Sequence, residues 1–182
     1  PDHAGGLMDF PQAQVHLLGK ELEAATDPMT LWEKARYRSY QWKHRPKWQP
    51  HRQEGERWFG FDAVQLLNSQ LYDILLVPLQ GHSRGHCGVA VSTTAGWLLH
   101  CGDAYFDQRE VAPETPRSVP VGVQLIEGMD DVCRAERIAN QKRLRQLKHE
   151  QGAGVQLICS HDHNEFSQCQ GCVQTPAKQP YT

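Results

Sequence analysis

The alternation of apolar and polar positions divides the chain into short strands separated by polar punctuation, with one long helical stretch. Residues 14–18 (QVHLL) read as a strand. Residues 21–25 and 29–37 read as helices, parted by Asp27-Pro28. The nearly unbroken apolar run at 73–79 (DILLVPL) predicts a strand covered on both faces. Residues 87–92 and 96–101 flank Thr93-Thr94-Ala95 and predict a hairpin. Residues 130–151 predict the longest helix, with Val132, Ala135, Ala139 and Leu147 on its apolar face and Arg143 interrupting it. Gly152 and Gly154 end that helix, and 155–160 (VQLICS) return to a buried strand. Between these elements, 39–60 reads as an irregular excursion rich in Trp, Arg, Pro and His. The stretch 110–122, with Pro113, Pro116 and Pro120, reads as loop, and 167–182 as a frayed polar tail. Strands and helices in this mixed order predict an α/β layered domain.

The length of 182 residues fits one domain, and 39% hydrophobic residues plus 15 glycines, roughly 47% together, is ordinary globular composition. Disorder, collagen and coiled coil are excluded as the main class. The apolar runs fall far short of the 18 or so residues that cross a bilayer, so no membrane partner is expected. A net charge of -2 predicts no global attraction to nucleic acid. Its distribution is uneven: from Lys34 to Arg52 there are seven basic residues and no carboxylate, with Tyr37, Tyr40, Trp42 and Trp48 interleaved. The wider stretch to Arg57 reads either as a substrate-covering or phosphate-binding element or, more simply, as aromatic anchors of a loop whose cations reach water. The six cysteines are scattered and no export signal is visible, so reduced thiols in the cytoplasm are the expectation. Cys169 and Cys172 have the spacing of half a zinc knuckle, a weak signal without a second pair.

Histidine and aspartate recur just beyond strands or among glycines: Asp2-His3, His82 in GHSRGH, Asp103 in CGDAYF and His161 in SHDH. Imidazole and carboxylate hold catalytic zinc, manganese or iron, and strand ends give such ligands rigid supports. No nucleophile elbow surrounds Ser83, and no phosphate-cradling glycine loop is present.

Taken in order, Pro1-Asp2-His3-Ala4-Gly5-Gly6, Gly81-His82-Ser83-Arg84-Gly85-His86, Gly102-Asp103 and Ser160-His161-Asp162 resemble the motifs of the metallo-β-lactamase-fold hydrolases. The opening residues are similar to the second half of that family's His-x-His-x-Asp-His motif. The resemblance runs from Pro1 to about Phe166, and it implies an α/β four-layer αββα sandwich over 1–166. An insertion around 32–60 and a polar tail at 167–182 complete the expected organisation. It implies that Asp2, His3 and His161 hold one metal, that His82 helps hold a second and that Asp103 bridges the two. His86 would support the loop. Two divalent ions, most simply zinc with manganese or iron as alternatives, would supply a metal-bound hydroxide against a small ester, lactone or thioester. Asp2 and, facing the substrate, Tyr105 would take part in catalysis. The first two histidines of the motif do not appear in the sequence, so at most one firmly held metal and an N-terminally truncated sandwich are expected. A truncated sheet predicts self-association, as in a homodimer. Two other readings stand beside this one: a nucleic-acid-processing hydrolase of the same superfamily, and a non-catalytic remnant domain.

Overall fold

A computed structural model describes residues 3–69, 71–114 and 119–170. The α/β class stands. Six strands form one mixed sheet in the order β3 (Glu56–Trp58), β4 (Phe61–Asn68), β5 (Asp73–Pro78), β6 (Cys87–Thr93), β7 (Gly96–His100) and β8 (Val155–Ile158). All neighbours run antiparallel except β7 and β8, which are parallel. Two further strands, β1 (Gln14–Leu18) and β2 (Lys47–His51), make a separate parallel pair. The helices are α1 (Gly19–Thr26), α2 (Leu31–Arg36), α3 (Val121–Asp130), α4 (Arg134–Gln151) and α5 (His163–Gln170).

The core joins one face of the sheet to α4. Trp58, Phe61, Val77, Ala90, Trp97, Leu99, Val155 and Leu157 pack with Leu144 and Leu147 in a single buried cluster. Its rings are set edge to face, with Trp58 and Trp97 at 5.4 Å, a separation at which aromatic quadrupoles attract.

Several elements differ from the sequence reading. The expected helix at 130–151 is α4, which begins four residues later, at Arg134; Asp130 ends α3, and the chain leaves helical geometry at Asp131–Cys133 between the two. Its buried stripe is Arg137, Asn140, Gln141, Leu144 and Leu147, whereas Val132, Ala135 and Ala139 are exposed. Polar residues can occupy that stripe because each finds a partner below it. Arg143, the apparent flaw, lies with its guanidinium 4.0 Å over the Phe61 ring. The excursion at 39–60 contains β2, which pairs with β1 in register Val15↔Trp48 and Leu17↔Pro50. Pro50 is tolerated because β2 lies at the edge of a two-stranded sheet. The strand β4, which lies outside every element expected from the sequence, buries Phe61 and Ala63 and leaves Asp62 and Val64 half-buried. Part of the expected loop at 110–122 is helical, since α3 begins at Val121, and α5 covers the first residues of the expected tail.

The topology decides where the motifs go. Since β5 is antiparallel to β6, β6 antiparallel to β7 and β7 parallel to β8, the chain leaves β5, β7 and β8 at the same end of the sheet. His82, Asp103 and His161 each lie a few residues beyond one of those exits. Among the described residues no helix is long and apolar enough to cross a membrane.

Candidate metal centre

The loop from Leu79 to His86 carries His82 and is fastened from three sides. At the break between α3 and α4, the freed backbone N–H groups of Val132 and Cys133 donate to the Gly81 carbonyl at 2.9 and 2.8 Å. Arg36 of α2 donates to the His82 carbonyl at 3.2 Å and to the carbonyl of Asp130. Glu21 of α1 accepts from the Ser83 hydroxyl at 2.7 Å and from the Gly85 N–H at 2.9 Å, while its other oxygen accepts from Tyr37. Gly81 has φ +134, and a Cβ there would lie 2.3 Å from the Arg137 nitrogen. Only glycine lets the loop approach α4 so closely.

His86 ties this loop to the next. Its Nδ1 lies 2.8 Å from the Leu79 carbonyl, and its Nε2 accepts from the Asp103 N–H at 2.9 Å. That pair of bonds requires the Nδ1–H tautomer and makes His86 a support rather than a ligand, as the resemblance implied. Gly102, at φ +56, passes so near that a Cβ would meet Nε2 of His86 at 2.7 Å. The Gly102 carbonyl in turn accepts from the Ser160 N–H at 3.0 Å, which sets the His161 loop beside that of Asp103.

The Asp103 carboxylate is the meeting point. Nε2 of His3 lies 2.9 Å from Oδ2, Nε2 of His82 3.3 Å from Oδ2, and Nε2 of His161 3.4 Å from Oδ1. His3, Asp103 and His161 each place one ligand atom within 4.8 Å of the other two. Asp103 is 5% exposed, but the side chains of His3 and His161 are 50% and 40% exposed, so the cluster opens to solvent on their side. Burial alone would raise the Asp103 carboxyl. The hydrogen bond with His3 and the imidazoles of His3, His82 and His161 outweigh it and hold the group well below the usual carboxylate range. Burial, then the Arg36 guanidinium, pushes His82 down to about 3, so its imidazole is neutral and keeps a lone pair.

This donor set fits a divalent cation. Asp103 Oδ1 and His82 Nδ1 are buried with no hydrogen-bond partner among the described residues. Imidazoles gathered on an ionised carboxylate are the ligand chemistry of zinc, manganese and iron sites. Asp2 lies outside the described residues, as does Cys172. Tyr105 is a correction. It is fully buried in the core and donates its hydroxyl to Glu165 at 2.9 Å, because a ring two residues beyond Asp103 points back under the sheet end rather than toward the cluster.

The cluster floors a cavity of about 960 Å³. Its other walls hold Glu21, Trp32 and His100, to which no motif pointed, and Arg36 and Trp42 of the basic and aromatic stretch. Phe106 closes one side, 4.7 Å from the His161 ring. Glu21 and Ser83 are 62 residues apart in sequence, and no local pattern could have paired them.

No family model matches the sequence. Two curated relatives, proteins of Mycobacterium tuberculosis and Mycobacterium bovis both named probable metallo-hydrolase, are 36% identical over 161 residues. That match takes in 88% of this chain and 51% of theirs, so the chain spans about half the length of the curated relatives it matches. Among solved structures, an AiiA variant from B. thuringiensis with N-decanoyl-L-homoserine at its active site superposes with a TM-score of 0.63 at 17% identity, over 91% of this chain and 54% of that one. An N-acyl homoserine lactone hydrolase with its product N-hexanoyl-L-homoserine at the catalytic metal centre gives the same TM-score, identity and coverage. A likeness at that identity is one of fold.

Proposed function

We propose that this chain, 36% identical to two proteins named probable metallo-hydrolase and alike in fold to lactone hydrolases, is of the metallo-β-lactamase-fold superfamily and works as a metal-dependent hydrolase of a small ester, lactone or thioester. The observation that carries the reading is the convergence of His3, His82 and His161 on one buried carboxylate at the floor of an open cavity. In this reading His3 and His161, with Asp2 by resemblance, hold one cation, His82 helps hold a second and Asp103 is shared. Zinc suits these ligands, and manganese or iron would also be accepted. A divalent cation held there lowers the pKa of water toward neutrality and polarises the oxygen of the bond to be broken.

The residues of the chain supply the rest. Asp103 stays ionised at any ordinary pH, so it offers both oxygens without competition from a proton. His86 and Gly102 fix its backbone, and Glu21 and Arg36 fix the loop of His82, so the ligands are set before any substrate arrives. Phe106 and Trp32 line the cavity and would meet the substrate's apolar parts. The fold neighbours that hold N-acyl homoserines, one of them named a lactone hydrolase with its product bound, favour lactones within this substrate class. The test is hydrolysis of a panel of lactones, thioesters and esters in added zinc or manganese. Turnover that a chelator removes supports the reading, and absence of turnover on every substrate with either metal would dismiss it.

A further inference from the structure

This inference rests on the hydrolase reading and concerns which substrates the cavity takes. The basic and aromatic stretch that begins at Lys34 is folded into the cavity wall: α2 and the 3-10 turn Ser39–Trp42 place Arg36, Tyr37, Arg38 and Trp42 on its lining. The other charged side chains of the lining are engaged. Glu21 accepts from Tyr37, Ser83 and Gly85, Arg36 holds the carbonyls of His82 and Asp130, the Asp130 carboxylate lies 3.7 Å from Arg36, and Asp103 faces three imidazoles.

Arg38 differs. It is exposed, and among the described residues its guanidinium has no hydrogen bond or ion pair. Its main chain is nonetheless anchored. The Arg38 carbonyl accepts from the Gln41 N–H at 3.0 Å, and the preceding Tyr37 is bonded through its hydroxyl to Glu21 at 2.8 Å. A fixed base, a free fork of N–H donors and neighbouring aromatic walls make a receptor for a planar oxyanion, for which guanidinium geometry is suited. A lone surface cation would gain nothing from such anchoring.

We propose that Arg38 binds an anionic group of the substrate, a carboxylate or phosphate carried away from the bond that is hydrolysed. The substrates are then acids, and the charge opposite Arg38 orients them with the reacting bond toward His3, Asp103 and His161.

The experiment compares two esters that differ in charge, 4-nitrophenyl hydrogen glutarate and 4-nitrophenyl butyrate, on the zinc-loaded protein. Arg38→Gln should raise KM for the glutarate ester by about 10-fold, the worth of one charge-assisted hydrogen bond, with kcat little altered and a far smaller effect on the neutral ester. Arg38→Lys should restore part of the loss, and Lys43→Gln, an exposed cation outside the cavity lining, should change neither. A second readout needs no turnover. Quenching of tryptophan fluorescence in the metal-free protein by glutarate or by inorganic phosphate should saturate, weaken with added salt and vanish in Arg38→Gln, and the tighter ligand identifies the oxyanion. Equal losses on both esters, or unchanged KM and unchanged quenching in Arg38→Gln, would overturn the proposal. If the unchanged protein hydrolyses neither ester, the hydrolase reading falls on its own, and the quenching titration still decides the role of Arg38.

Discussion

At the scale of single residues, the site keeps one buried carboxylate ionised beneath three imidazoles. Asp103 does so while 5% exposed because three ring nitrogens compensate its burial. Asp103→Ala should therefore abolish turnover and reduce bound metal to under about half an equivalent, measured by elemental analysis, since a cation left with histidines alone loses its shared ligand. Retention of most activity would refute the bridging role. The histidines carry a pH signature in the metal-free protein. His82 is held down to about 3 by burial and by Arg36, and burial pushes His86 down as well. An unfolded histidine titrates near 6.5, so the unfolded chain binds protons first as the solution is acidified. For His82 the loss of stability begins as pH falls below about 6.5 and continues toward 3, on the order of 1.4 kcal/mol per unit, and His86 adds to it in the same direction. Urea denaturation of the chelated protein at a series of pH values measures this. At this scale the sequence was informative: His3, His82, Asp103 and His161 were each marked by glycine or a strand end, and they meet. Tyr105 was misplaced because proximity in sequence to Asp103 says nothing about which way a side chain leaves the backbone.

At the scale of elements, the decisive feature is the interruption between α3 and α4. Two backbone donors freed there hold the His82 loop, and Asn140 of α4 adds a bond to the Gln80 carbonyl at 2.7 Å. Below the break, Arg137 is 5% exposed and is surrounded by Asp131, Glu127 and Glu110. Burial, then a hydrogen bond with Glu110, raises the Glu127 carboxyl to about 8, so it is largely protonated near neutrality, and the guanidinium is bonded most closely to Asp131 at 2.7 Å. Arg137→Ala leaves Asp131 buried without that partner. It should cost about 3–5 kcal/mol in denaturant unfolding and loosen α3 from the cavity. A loss under about 1 kcal/mol would show that the acids find other partners. The break itself was invisible in the sequence, because Val132, Ala135 and Ala139 carry a helical apolar period across it, while the stripe that faces inward holds Arg137, Asn140 and Gln141 beside Leu144 and Leu147. Apolar periodicity points to Val132, Ala135 and Ala139, which are exposed, since hydrogen bonding rather than burial of apolar surface orients the first half of α4. The pairing of β2 with β1 was hidden for a related reason: a strand with Pro50 and polar neighbours has no period to read.

At the scale of the whole molecule, the sheet order turns scattered motifs into one site. β5, β7 and β8 end together, and the core of Trp97, Leu99, Leu144 and Leu157 keeps those ends fixed against α4. Leu99→Ala, at a fully buried position, should destabilise the protein by about 2–5 kcal/mol while leaving the metal content of the folded fraction unchanged. The apolar runs that form β5, β6 and β7 inside the sheet and β8 at its edge were legible because strands packed on the core need hydrophobic side chains. β2, β3 and the cavity walls were not, because they are specified by contacts between residues far apart along the chain. The most direct test of the central claim is a cobalt(II) titration of the chelated protein followed by its visible absorption, alongside His161→Ala and Asp103→Ala. The account predicts a saturable ligand-field spectrum at one equivalent or more that both substitutions abolish or shift to far weaker binding. A wild-type protein that binds no cobalt, or variants that bind it as the wild type does, would contradict it.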